Sequence, residues 1–449
     1  MMMKATERVA DYVVNTGFDD FDVEVINKAK ALIVSTLGMA VAGSRIHAGE
    51  VLARYAKESG GVEQASVIGA GFRTTSEMAS LVNATAAHST ELEDDSWPES
   101  MYTCHIIPAV FALGEELGSS GREILEAFIL GYEIQARPGM ILTDGGATER
   151  GILTAPSLGA IGIAGAASKL LKLSKEETRM ALSLAVSQAS GSTRQMGTGA
   201  HLYEAGIAGR NGISAAKLAK LGLTGEPNVF EGKKGYFDTL AGMPDLEFPL
   251  GRGSDLRVMA VGFKKYTACY LMQRIVDGVI EIMTANKLSA NDVEKVVVEV
   301  NPTFPEIIKF PAPANGEESR FSMHHCVAAA ISGEEISVRT FTDEGVKNPK
   351  LQKLWDRTEV VVHPEWKRAI LGESNPLTIR TRSGAEFKKL CVISHGDPED
   401  PLTDDEVRHK YLSCTRDIID DARANEAADM LFSLDRQPNA KKILELLTY

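Results

Sequence analysis

The sequence predicts a mostly α protein, with a large all-helical domain built from both ends of the chain and a smaller α+β domain inserted as a lid. Three observations carry this. At 449 residues the chain exceeds what one core usually fills, so two domains are expected. From the N-terminus to about Gly262, apolar residues recur at helical intervals with capping signals between them. The pattern changes near Phe263, beyond which VEKVVVEV is rich in β-branched residues, and helical periodicity returns after Pro401. The expected helical domain therefore covers 1–262 and 396–449, and the lid 263–395.

In the first part, Ala29, Leu32, Ile33, Thr36, Leu37 and Ala40 form one stripe, with Gly38 admitting a close neighbour. Thr74 and Glu77 have capping-box spacing ahead of Met78, Leu81, Val82, Thr85 and His88, which share a helical face. Ser120 and Glu123 cap a segment running to Arg137, and Ser174 and Glu177 cap another through Gln188. The stretch Ser157–Leu171 is dense in Gly and Ala. No strand precedes it, so its glycines point to tight helix contact rather than to a dinucleotide loop. The insert opens with a helix over Tyr270–Ala285 and a strand, VEKVVVEV, at Val293–Val300. A helix at RFSMHHCVAAAIS, a strand at TEVVVH and a hairpin turning at Ser383 and Gly384 follow. The C-terminal part, LTDDEVRHKYLSCTR through KKILELL, is again helical.

Composition excludes several functions. Net charge is −13 with a sequence pI near 5.3 and no Lys/Arg-rich run, so nucleic acid is not an expected partner. Five unclustered cysteines, Cys104, Cys269, Cys326, Cys391 and Cys414, fit reduced thiols in a cytoplasmic protein. MMMKATERVADYV lacks an apolar signal core, and Ala31–Ala42 is too short to span a bilayer, so no membrane partner is expected.

The chemistry concentrates in NATAAHSTELEDDSWPESMYTCHIIP, Asn83–Pro108, a long acidic connection holding His88, Glu91, Glu93, Asp94, Asp95 and His105. His88 lies on the inward face of its helix and reads as a hydrogen-bonded core histidine. His105 opens the next helix, where it can face a cleft as an acid/base group. The carboxylates show no hard-cation ligand geometry, so no metal is expected.

That stretch is similar to one in a known family, and so are GLTGEPNVFEGKKGYFD (Gly222–Asp238), STRQMGTG (Ser192–Gly199), FKKYTAC (Phe263–Cys269), RFSMHHCVAAAISG and DPEDPLTDDEV. Over nearly its whole length the chain resembles the MmgE/PrpD family, which includes 2-methylcitrate dehydratase, cis-aconitate decarboxylase and iminodisuccinate epimerase. The resemblance implies a helical domain plus lid, a homodimer, and a cofactor-independent site in the cleft between the domains.

Several family positions differ here. Glu91 and Asp95 stand where family dehydratases and decarboxylases carry Asp and Thr. His105 keeps the family histidine, but Leu153 replaces the second one. The family lysine after Gly-Thr falls on His201 and the histidine three residues later on Glu204. Lys264 keeps the next lysine, Gln273 replaces the histidine beyond it, and His325 stands at a family tyrosine. The resemblance thus makes His105, His201, Lys264 and His325 the expected catalytic set, with Glu91, Asp95, Arg194 and Gln273 binding substrate. The expected activity is proton abstraction next to a carboxyl group of a small di- or tricarboxylate, in the dehydratase, decarboxylase and epimerase range. Epimerisation or isomerisation alone is one alternative, and a silent carboxylate-binding homologue is another.

Overall fold

Helices dominate the computed structural model, which describes residues 3–97, 99–144 and 146–448. Its contacts divide the chain into two units. The first runs to Gln195, resumes over Gly199–Gly262, and takes in the chain from Thr403 onward; the second holds Met196–Thr198 and Phe263–Leu402.

In the first unit the helix Val23–Gly43 is apolar and long enough to cross a membrane by composition, yet most of it is buried. The reason is packing. It lies against the helices Ser76–His88, Asp404–Thr415 and Asp421–Phe432, and each fully buried Leu or Ile there contributes roughly 1.5–3 kcal/mol. Gly38 explains one close approach, because a Cβ at that position would meet Tyr411 Cδ2 at 2.9 Å. The helix Thr154–Leu170 packs between Gly121–Asp144 and Gly199–Lys220: its Gly162 and Gly165 admit Gln135 and Ile134 of the first, as the Gly/Ala pattern predicts, and Gly212 of the second admits its Ile163.

Capping signals land where side chains bond the backbone locally. Ser174 and Glu177 form the expected box ahead of Lys175–Val186, and Glu123 accepts from Ser120 N at 2.9 Å. Two expectations need correction. The cap of Ser76–His88 is Thr75, which accepts from Met78 N, and not Thr74. The helix after Ser120 continues past Arg137 to Asp144 despite Pro138. The unit is also not wholly helical. Ala65–Val67 pairs with Phe72–Thr74, and Asp95–Ser96 pairs antiparallel with both Met101–Tyr102 and Val261–Gly262. Strands of two or three residues are too short to show alternation in sequence.

The second unit carries a four-stranded sheet in the order Thr358–Val362, Val293–Val300, Asn375–Thr381, Glu386–Cys391. The first pair is parallel and the others antiparallel. Val293, Val296, Val298 and Val300 are all fully buried, which is why this run of β-branched residues forms one of the two inner strands. The hairpin turns where expected, with Gly384 at φ +88°. The helices Gln273–Ala285 and Met323–Ser332 pack beside the sheet, and the first of them begins after a short turn at Tyr270–Met272.

Candidate active site

In the first unit the chain leaves the helix Ser76–His88 and turns at Glu91, a non-glycine residue held at φ +51°, an uncommon backbone for any side chain. The turn returns Glu91 beside the helix end. Ligand-type atoms of His88, Glu91 and His201 all lie within 4.8 Å of one another, and all three residues are buried. The rings continue the assembly: His201 lies 4.6 Å from His88 between centroids, His88 lies 5.2 Å from Tyr102, and Tyr102 lies 6.3 Å from His105. Glu93 Oε1 is 3.9 Å from His88 Nε2, and Glu204 Oε2 is 3.7 Å from His201 Nδ1.

His105 is completely buried at the N-cap of Ile106–Leu117. Gln135 fixes its ring. The Gln135 amide nitrogen donates to the Tyr102 carbonyl at 3.3 Å, which turns its oxygen toward His105 Nε2 at 2.9 Å. Nε2 is therefore the protonated nitrogen and Nδ1 the acceptor. Among the described residues Nδ1 has no hydrogen-bond partner. Burial pushes this imidazole down to about 4, with the Gln135 bond opposing.

The acidic stretch is pinned from two sides. Asp94 accepts from Lys410 Nζ at 2.5 Å, and Lys410 also donates to the Leu92 carbonyl at 3.0 Å. Arg257 donates to Glu99 at 2.8 Å and to the Trp97 carbonyl at 3.1 Å. Asp95 is buried in its short strand, whereas Arg194 is exposed.

In the second unit Lys264 is only 2% exposed. Gln273 spends its whole amide on the segment that follows Lys264. Its oxygen accepts from Lys265 N and Tyr266 N, and its nitrogen donates to the Tyr266 and Ala268 carbonyls at 2.9 and 2.8 Å. His325 is likewise engaged within its unit: Nε2 donates to the Thr340 carbonyl at 2.9 Å, and Nδ1 accepts from Trp355 Nε1 at 3.3 Å.

Comparison with known proteins gives the family. The models of the MmgE/PrpD N-terminal and C-terminal domains match residues 7–249 and 266–435. The chain belongs to the MmgE/PrpD family. It is 24% identical over 424 residues to the cis-aconitate decarboxylase of Homo sapiens, covering 92% of this chain and 88% of that one. The cis-aconitate decarboxylase of Aspergillus terreus is 24% identical over 478 residues, covering 98% and 95%. A cis-aconitate decarboxylase-like protein of Aspergillus oryzae is 23% identical over 473 residues, covering 99% and 97%.

Within this MmgE/PrpD chain, sequence reasoning misses Gln135 and Tyr102 and treats His88 alone. Gln135 falls within a segment expected to be helical, but nothing local marks it as the partner of a residue 30 positions earlier. Gly159 gave a partial signal. A Cβ there would come 2.6 Å from His105 Nε2, so the glycine-rich helix makes room for the imidazole as well as for its neighbours. Gly159→Ala is expected to displace the ring, to destabilise the protein by about 1–3 kcal/mol, and to slow turnover. Thermal melts together with the ring-proton NMR signal of His105 check this; an unmoved signal would show that the contact is not tight.

The histidine also sets a pH dependence. An unfolded imidazole takes up its proton near 6.5 and the folded one near 4, so this contribution is complete above about 6.5 and is lost as the pH falls through that value toward 4. Burial lowers His325 as well, with the same sign. Urea midpoints are expected to fall steadily from pH 7 to pH 4.5, and less steeply in His105→Gln. Parallel profiles for the two proteins would remove His105 as the cause.

Proposed function

We propose that the chain is an enzyme of the lyase and isomerase range of its family, acting on a small di- or tricarboxylate by removing a proton next to a carboxyl group. The observation that carries this reading is the locked His105 tautomer, since it leaves a buried basic nitrogen, Nδ1, as an acceptor. A neutral imidazole is the competent form of a base. Its low proton affinity rises when an anionic substrate arrives, because a nearby negative charge favours imidazolium.

Abstraction leaves charge that spreads into the adjacent carboxyl group. A fixed cation stabilises that charge as it develops, and this role is assigned to Lys264. Arg194, expected to bind substrate, is exposed and less suited to this role than Lys264. His201 takes the second half of the proton exchange, because the ring nitrogens of His325 are already committed. Gln273 then acts by positioning the segment beside Lys264, and no organic cofactor is required.

Leu153 at the second family histidine favours a specific variant of the reading, epimerisation or isomerisation, in which neither hydroxyl nor carbon dioxide has to leave. The test is ¹H NMR in D₂O over a panel of polycarboxylates including cis-aconitate and citrate. Deuterium entering beside a carboxyl group is the expected result. Binding without exchange across the panel would establish a silent carboxylate-binding protein. The working form is proposed to be a homodimer, after the family; light scattering at the 48.4 kDa monomer mass would count against it.

A further inference from the structure

We propose that His88, Glu91 and His201 form a binding site for one divalent first-row transition ion of the zinc type. Three separate pieces of chain supply the donors: the last residue of one helix, the turn after it, and the first turn of the helix Gly199–Lys220. Their ligand atoms lie within 4.8 Å of one another, and the residues are 1%, 4% and 3% exposed. Zinc ligands stand about 2.0–2.2 Å from the ion, which puts neighbouring donors roughly 3–3.7 Å apart. Side-chain rotations that close the present separations by roughly 1 Å are enough.

The donor types select the ion. Two imidazoles and one carboxylate suit zinc and its first-row neighbours, whereas calcium and magnesium require sets of oxygen ligands. Three protein donors also leave a coordination position open, the pattern of sites that take an exchangeable ligand. Independent support comes from what stands beside each imidazole. Glu93 lies 3.9 Å from His88 Nε2, and Glu204 lies 3.7 Å from His201 Nδ1. Glu204 is itself held by Ser192 N at 2.8 Å. A carboxylate beside a ligating histidine orients the ring and raises its basicity toward the metal.

This inference goes beyond the reaction proposed above and revises it at one point. With the ion bound, His201 gives its lone pair to the metal, and proton transfer falls to His105.

The test uses full-length protein stripped with chelator, dialysed against Zn²⁺ for metal analysis, and titrated with Co²⁺ as an optical probe. One equivalent per chain and a cobalt d–d spectrum of low symmetry are expected. Glu204→Gln should weaken binding about 10–100-fold, as loss of a carboxylate beside a ligand does, and His201→Asn by more. His363→Gln removes a surface imidazole flanked by Glu299 and Glu365, and it should leave the buried equivalent in place. The proposal is overturned if the wild-type protein binds no ion beyond one lost in His363→Gln, or if folded His88→Asn and His201→Asn variants keep the equivalent. The wild-type titration decides even where a variant fails to fold. Exchange in D₂O without metal binding sinks the ion site alone, and metal binding without exchange sinks the reaction alone.

Discussion

His105→Gln is expected to slow solvent-deuterium exchange into the substrate by about 100-fold or more, the usual contribution of a positioned acid or base, while substrate affinity changes little. The substitution keeps a side chain of similar reach next to Gln135, so the hydrogen bond from position 105 to the Gln135 oxygen can be retained. What disappears is the basic nitrogen, Nδ1. Single-turnover exchange rates and a binding titration with the same acid separate the two effects. Gln135→Leu makes a companion: it leaves the imidazole but releases the tautomer that the Tyr102 carbonyl and Gln135 impose. Its rate should fall too, with a pH profile displaced from that of the wild type. Wild-type exchange in His105→Gln would sink the mechanism without touching the family assignment.

What the sequence shows of this molecule follows the range of the interactions involved. Ser174 and Glu177 are legible as a cap because side chain and backbone meet within three residues, and Val293–Val300 because its composition is local. Thr74 and Thr75 offer nearly the same spacing to the helix, and a one-residue error there is decided only by which hydroxyl reaches Met78 N. The ribbons at Asp95–Ser96 and Met101–Tyr102 are invisible because two residues cannot display a period. At the site, His105 and His201 stand out as residue types in a resemblance. Their surroundings do not, since Gln135 and Tyr102 matter only through contacts the fold creates. Gln273 shows a different limit of sequence reading. Its position in the resemblance suggests substrate, yet its amide bonds bind it to a loop only five to eight residues away.

Lys410→Met is expected to destabilise the helical unit by roughly 3–5 kcal/mol, the cost of stranding one partner of a buried ion pair. Lys410 and Asp94 are almost wholly buried and 2.5 Å apart. Methionine replaces the length of the side chain but not its charge, leaving the Asp94 carboxylate and the Leu92 carbonyl without their donor. Lys28 offsets part of the loss, because Asp94 opposes the burial that pushes its ammonium down to about 8 and the repulsion from Lys410 is gone in the variant. Asp94→Asn combined with Lys410→Met should recover much of the loss, since removing both charges removes the stranded one. Urea midpoints followed by far-UV circular dichroism measure the cycle. A single substitution within about 0.5 kcal/mol of wild type, the range of ordinary surface changes, would show the pair to be dispensable. The consequence reaches the site, because the Asp94 carbonyl accepts from Thr103 N at 3.0 Å and so ties the acidic turn to the segment that presents His105. Loosening this pair should therefore slow exchange as well as lower stability, with the Asp94→Asn/Lys410→Met double variant recovering both together.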